Sequence, residues 1–188
     1  KIPFPFKRYH IGPVWRADRP QKGRYQEFYQ CDADIIGSTL LLNEVELTLI
    51  YVEIFKQLGL NATVRINSRK ILEALAIYAG AADKLTAITI AIDKMDKIGK
   101  DGVKTELAKL ELNEEQQQKI LSVLDIKTVV DLEIAGIFGD NEKGKEGIYE
   151  VAQVLKMADA ANVVFDITLA RGLNYYTGVI WEVVSNDV

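Results

Sequence analysis

The side chains best equipped for chemistry cluster early, in residues 9–37, YHIGPVWRADRPQKGRYQEFYQCDADIIG. Arg16, Arg19, Lys22 and Arg24 supply cations there, Gln30, Asp32 and Asp34 supply acceptors, and Phe28 supplies an aromatic ring. Successive side chains on a strand point to opposite faces. After the basic residues, that rule puts Phe28, Gln30, Asp32 and Asp34 on one face and Tyr29, Cys31, Ala33 and Ile35 on the other. Carboxylates and amides are costly to bury without partners. The first face is therefore expected to look into a solvent-filled site, and the second into the core. The preceding run divides alike, with Tyr9, Ile11 and Trp15 opposite Arg8, His10 and Arg16. The result is two strands joined by a basic loop, with cations at the tip and acceptors along the floor. Such a surface suits a ligand that carries both a polyanion and a cationic group.

Plainer readings stand beside these. Cys31 is the sole cysteine, which excludes an internal disulfide and suits a reducing compartment. On an apolar strand face it is expected to be a small buried hydrophobe. His10 is the sole histidine; its neighbours give neither a triad nor metal-ligand spacing, so no metal site is expected. Taken alone, each arginine reads first as a surface ion-pair partner.

Pro3 and Pro5 oppose a helix and make residues 1–7 an extended lead-in. Ser38 or Thr39 can cap a helix to residue 58, with an apolar stripe of Leu41, Val45, Leu49, Val52 and Phe55, and Gly59 stops it. Residues 62–66 read as a strand, and Asn67-Ser68 caps a helix ending near Gly80. Arg65, Arg69 and Lys70 around this helix entry are expected to be solvated. From Asp83 the pattern turns helical throughout. A helix over 87–99 is stopped by Gly99, and another runs from Asp101 to residue 110. Asn113-x-x-Gln116 opens a third as a capping box, and a fourth covers 129–138. GDNEKGKEG reads as a loop. A last helix covers 148–161, ahead of a strand at 163–167.

At 188 residues, 48% of them apolar, the chain can bury a sizeable core. It contains no apolar run near ~18 residues and begins with no signal peptide, so neither a membrane partner nor secretion is expected. Net charge is −4, which argues against a generic nucleic-acid binder. The distribution is uneven: residues 1–26 carry seven Lys or Arg and one acid, whereas 83–162 carry 11 basic and 16 acidic groups. A basic tip on an acidic chain points to focused phosphate recognition.

Arg16-x-Asp18, a loop, then Gly23-Arg24-x-x-x-Phe28 resembles motif 2 of class II aminoacyl-tRNA synthetases. The wording GPVWRADRPQKGRYQEFYQCDAD narrows the resemblance to histidyl-tRNA synthetases, and LARGLNYYTGVIWE over 169–182 resembles their histidine-binding motif. The resemblance covers essentially the whole chain. It implies an α+β fold: an antiparallel synthetase sheet flanked by helices, interrupted by an all-helical insertion. The expected division is 1–82 (core with motif 2), 83–162 (insertion) and 163–188 (core with the histidine motif).

The resemblance also implies a cytoplasmic ligase that activates L-histidine with ATP, brought with Mg2+, and charges tRNA(His). Arg16 and Arg171 are the implied catalytic residues at the α-phosphate. Arg16, Gln30, Asp34, Arg171, Tyr175 and Tyr176 would bind histidine. Arg16, Asp18, Arg24 and Phe28 would bind ATP. The insertion, and alternatively the cations at 65–70, would approach tRNA. Two positions depart from the family's pattern: Asn174 stands where Asp is usual, and Gln26 where Arg is common. The lack of an initiator Met and the end at SNDV suggest a fragment, with dimer-forming motif 1 upstream and motif 3 and an anticodon-binding domain downstream. Such a fragment is expected to adenylate poorly by itself. The competing readings are a histidine-binding regulatory subunit of ATP phosphoribosyltransferase and a non-catalytic tRNA-sensing module.

Overall fold

The computed structural model describes residues 2–170 and 176–187. It divides into two compact units, Lys1–Asn43 and Glu44–Val188. The first unit is built on β1 (Phe6–Trp15) and β2 (Glu27–Ile36), an antiparallel pair in register from Phe6↔Ile36 to Trp15↔Glu27. The expected pair of long strands is present.

The second unit begins with α1 (Leu42–Gln57), which starts three to four residues after the expected Ser38 or Thr39 cap. A three-stranded sheet of order β4-β3-β5 follows, made of β3 (Ala62–Ser68), β4 (Val163–Phe165) and β5 (Val179–Ser185). β3 is almost wholly buried, whereas α1 buries only Val45 and Thr48. The Thr48 hydroxyl donates to the Glu44 carbonyl and accepts from Trp181 Nε1 at 2.9 Å, which ties α1 to β5. The α+β class holds. Within it β3 pairs antiparallel with β5 but parallel with β4, because a helical crossover returns the chain to the sheet in its original direction.

That crossover carries α2 (Arg69–Tyr78), a 3-10 turn at Ala82–Lys84, α3 (Leu85–Ile92), α4 (Met95–Ala108), α5 (Glu114–Val123), α6 (Val129–Ala135) and α7 (Glu142–Ala158). The capping box at Asn113 is formed: its Oδ1 accepts from Gln116 N at 2.9 Å, and Asn113 N donates to Gln116 Oε1 at 3.0 Å. Gly99 breaks the helical path inside α4 at φ 66°, a conformation glycine reaches without a Cβ penalty. An additional break at Asp93-Lys94 separates α3 from α4.

Two expectations fail here for physical reasons. The stretch GDNEKGKEG is not a loop. Asn141 caps α7, and the helix runs through Gly144 and Gly147. Those glycines let α7 approach α2: a Cβ on Gly144 would lie 2.7 Å from Ala74 Cβ, and one on Gly147 would lie 2.8 Å from Lys70 Cβ. Nor is the α2 entry solvated. Arg69 is 8% exposed, and Lys70 reaches Glu150 at 2.7 Å and Glu146 at 3.0 Å on α7. Burial works against the Lys70 ammonium, yet its bonds to Glu150 and Glu146 outweigh it and hold its pKa above the usual lysine value. Arg65 meets Asp96 at 2.6 Å and Asp166 at 3.3 Å. One hydrophobic cluster runs from Val45 through β3, α2 and the helices to Ile180. The 82/83 boundary therefore marks a change of pattern along the chain, while α7 shares a packed seam with α2.

The seam yields a stability prediction. Ala normally improves a helix interior by ~1 kcal/mol over Gly, but at Gly147 the new methyl meets Lys70 Cβ and the Ile71 backbone N at 3.1 Å. Overpacking of this kind costs about 1–3 kcal/mol. Gly147→Ala is expected to lower unfolding free energy in urea titration; an increase would mean that α2 and α7 can separate freely.

Candidate functional site

Antiparallel pairing places the chemistry of the first unit on one face of its hairpin. Arg16 follows the last residue of β1, and its backbone N–H donates to the Gln26 carbonyl at 2.8 Å. Gln26 Nε2 donates to the Asp18 carbonyl at 3.3 Å. Gln26 thus closes the neck of the loop, a role the sequence did not signal. At the tip, Gln21 and Arg24 exchange backbone hydrogen bonds of 3.1 and 2.9 Å around Lys22-Gly23, with Gly23 at φ 76°. The basic loop is a tight turn on a closed neck.

On the floor, the Arg16 guanidinium lies 5.0 Å from the centroid of the Phe28 ring. The same guanidinium donates through Nη2 to Gln30 Oε1 at 3.1 Å. Gln30 Nε2 then donates to Asp32 Oδ1 at 2.5 Å. Charge, ring and amide form one contiguous chain, Phe28–Arg16–Gln30–Asp32. A guanidinium over a ring face is drawn by the ring quadrupole, and the bond to Gln30 fixes its plane. Asp34 lies across from Arg8 in register, and Arg8 Nη2 stands 2.6 Å from Asp34 Oδ2. The pair is close but not aligned as a hydrogen bond, so Oδ2 still lacks a donor. Asp18 and Arg24 stand 4.0 Å apart and largely exposed, a spacing that contributes little in water. Arg24 therefore remains available to an anion.

The structure brings Arg16, Phe28 and Gln30 together, holds Asp34 to Arg8, and leaves Asp18 with Arg24 at the loop. The part of Arg8 was missed by the sequence, although alternation had set it on the same face as Arg16. In the second unit Tyr176 is exposed, three residues ahead of β5. Arg171 and Tyr175, with Asn174, lie outside the described residues.

The expected inside and outside of the hairpin are reversed. Tyr9, Ile11, Trp15 and Tyr29 are 62–78% exposed, and Cys31 is exposed rather than buried. Phe28, Gln30, Asp32 and Asp34 are the half-buried set. The cause is local. Arg8, Arg16, Gln30 and the acids lie across one another and shield their own face, while the unit supplies no second layer for the apolar one.

Comparisons with known proteins identify the family. A family model described as histidyl-tRNA synthetase matches residues 2–188. The histidine–tRNA ligase of Bacteroides fragilis strain YCH46 is 49% identical over 195 aligned residues, covering 100% of this chain and 43% of that protein. That of Porphyromonas gingivalis W83 is 47% identical, with the same coverage. The crystal structure of histidyl-tRNA synthetase from Nostoc sp. PCC 7120 superposes with a TM-score of 0.85 at 30% identity, covering 97% of this chain and 44% of that one. A Bacillus halodurans structure described as an ATP phosphoribosyltransferase regulatory subunit/histidyl-tRNA synthetase shares the fold, with a TM-score of 0.81 at 21% identity over 99% of this chain and 49% of its own. An arginine-bearing hairpin and a helix-covered α+β unit, with these relatives, define a piece of an aminoacyl-tRNA synthetase. The chain belongs to the histidyl-tRNA synthetase family. It spans less than half the length of the curated relatives it matches.

The reversed hairpin gives a direct test. In the isolated chain Cys31 should react with a maleimide under native conditions as fast as a free thiol, read by mass spectrometry. Modification only after denaturant would return the residue to the core.

Proposed function

We propose that the protein carrying this chain activates L-histidine with ATP to histidyl-adenylate and transfers the histidine to tRNA(His). The observation that carries this reading is the Arg16 guanidinium in contact with both Phe28 and Gln30. One cation thereby adjoins a ring suited to stacking on adenine and an amide suited to a histidine ligand. In the reaction a histidine carboxylate oxygen attacks the α-phosphorus and pyrophosphate departs. Negative charge grows on the α-phosphate oxygens, which a forked guanidinium matches in shape and sign. Arg16 takes that role from the hairpin and Arg171 from the histidine motif. Asp18, Arg24 and Phe28 hold ATP, which brings its Mg2+ as part of the substrate. Gln30, Asp34, Tyr175 and Tyr176 hold histidine, whose selectivity follows from buried partners that an analogue would leave unmet. The full-length protein acts as a cytoplasmic homodimer with no membrane partner.

Histidine-dependent ATP–pyrophosphate exchange by the full-length protein tests the reading. A regulatory subunit or a tRNA sensor would show none. Gln30→Ala should weaken histidine binding by roughly 1–3 kcal/mol with much less change for ATP. Arg171→Ala should slow single-turnover adenylation by roughly 10²–10³-fold, with small changes in both dissociation constants. An unchanged rate would remove Arg171 from the mechanism.

The helical insertion 83–162 is proposed to approach tRNA, with residues 83–140 as its separable part. Because α7 is packed on α2, the informative deletion removes only 83–140, replaced by a short Gly/Ser bridge. Adenylation should survive and transfer to tRNA should fall. Loss of pyrophosphate exchange in a folded protein would make the helices part of the adenylation site.

A further inference from the structure

The turn from β3 into α2 holds a charge that the foregoing mechanism does not use. Arg69 is 8% exposed, and its Nη1 is buried without a hydrogen-bond partner. No ion pair joins its guanidinium to another described residue. Arginine cannot discharge itself by losing a proton, and a buried charge without a counter-charge is strongly unfavourable. Acids on the neighbouring elements face other partners: Glu73 meets Lys143, Glu146 and the Oε1 of Glu150 meet Lys70, and Asp166 meets Arg65 and Thr168, while the Oε2 of Glu150 is, like Arg69 Nη1, buried without a partner. The guanidinium is thus a buried donor awaiting an acceptor.

Its position says what kind of acceptor. The β3–β5 ladder ends at Ser68↔Val179, and the Arg69 backbone N–H donates to the Gly178 carbonyl at 2.9 Å. A Cβ built on Gly178 would meet nothing within 4 Å among the described residues, so there is open room at its Cα. Tyr176, a proposed histidine ligand, is two residues away. On the other side of Arg69, the fully buried Asn67 donates through Nδ2 to the carbonyls of Leu169 at 2.9 Å and Ile167 at 3.2 Å. The turn therefore holds the chain at 167–169 through Asn67 and at Gly178 through the Arg69 backbone.

We propose that Arg69 is an oxyanion-binding residue, which receives the carboxylate of the bound amino acid or a phosphate of the nucleotide. The inference rests on the proposed function and adds to it a fourth arginine, outside both sequence motifs. The shared chemistry is a planar or tetrahedral oxyanion met by a forked donor.

Calorimetry on the full-length protein tests it with Arg69→Gln and Arg69→Met against four ligands. These are histidine, histidinol (which lacks the carboxylate), ATP and adenosine (which lacks the phosphates). Loss of a charge-assisted bond predicts about 10–100-fold weaker binding of one oxyanion-bearing ligand. Its truncated partner should stay within about twofold of wild type. A loss confined to histidine identifies the carboxylate, and one confined to ATP the phosphate. Equal affinities throughout, or equal losses for all four ligands, overturn the proposal. The ligand-free Arg69→Met protein should melt at or above the wild-type temperature, because an uncompensated buried charge has been replaced by an apolar chain. A lower melting temperature with ligand binding intact would mean that the protein supplies the counter-charge, and would also overturn it. Wild-type protein that binds neither histidine nor ATP would instead sink the functional reading itself.

Discussion

The larger unit depends on the buried amide of Asn67. Its Nδ2 satisfies two carbonyls of the segment after β4, and its Oδ1 accepts the Ser68 N–H at 2.8 Å. Through these bonds one side chain fixes the end of β3, the start of α2 and the approach to the histidine motif. A buried amide that lost such partners would leave several groups unmet, each costing about 1–3 kcal/mol. No surface bond carries comparable weight. The lysine pairs on Glu106, for instance, draw its pKa down to about 2 while it remains open to water on one side, where screening leaves little net stabilisation.

Around that amide the helices are arranged by shape more than by charge. Gly144 and Gly147 bring α7 onto α2, and Lys70 with Glu146 and Glu150 closes the edge of the same seam. Close approach buries Ile71, Leu72 and Leu75 completely. The hairpin follows a different logic. Its polar face is held by mutual contact among charged, amide and aromatic groups, which orders Arg16 while leaving it exposed. The role proposed for Arg16 needs both properties, since a group already in position spends little free energy on reorganisation during a reaction.

Much of this was legible in the chain itself. Alternation over residues 8–16 and 28–35 located both hairpin strands and the shared face of Gln30 and Asp34. Asn113 and Gln116 announced their capping box, Gly99 its break, and the two motifs their family. These signals are local: a strand period, a cap or a motif spans a handful of neighbouring residues, and short-range sterics and hydrogen bonding decide it.

Tertiary structure decided what lies against what. Tyr29 and Cys31 read as core because apolar residues usually find cover, but cover depends on another layer, which no strand period can report. GDNEKGKEG read as a loop because glycine disfavours helices in isolation, yet the contact with α2 turned two glycines into an advantage. Arg69 read as a solvated helix entry, and only the folded chain buried it. Periodicity is a property of neighbours in the chain, whereas burial and partnership belong to residues a hundred positions apart.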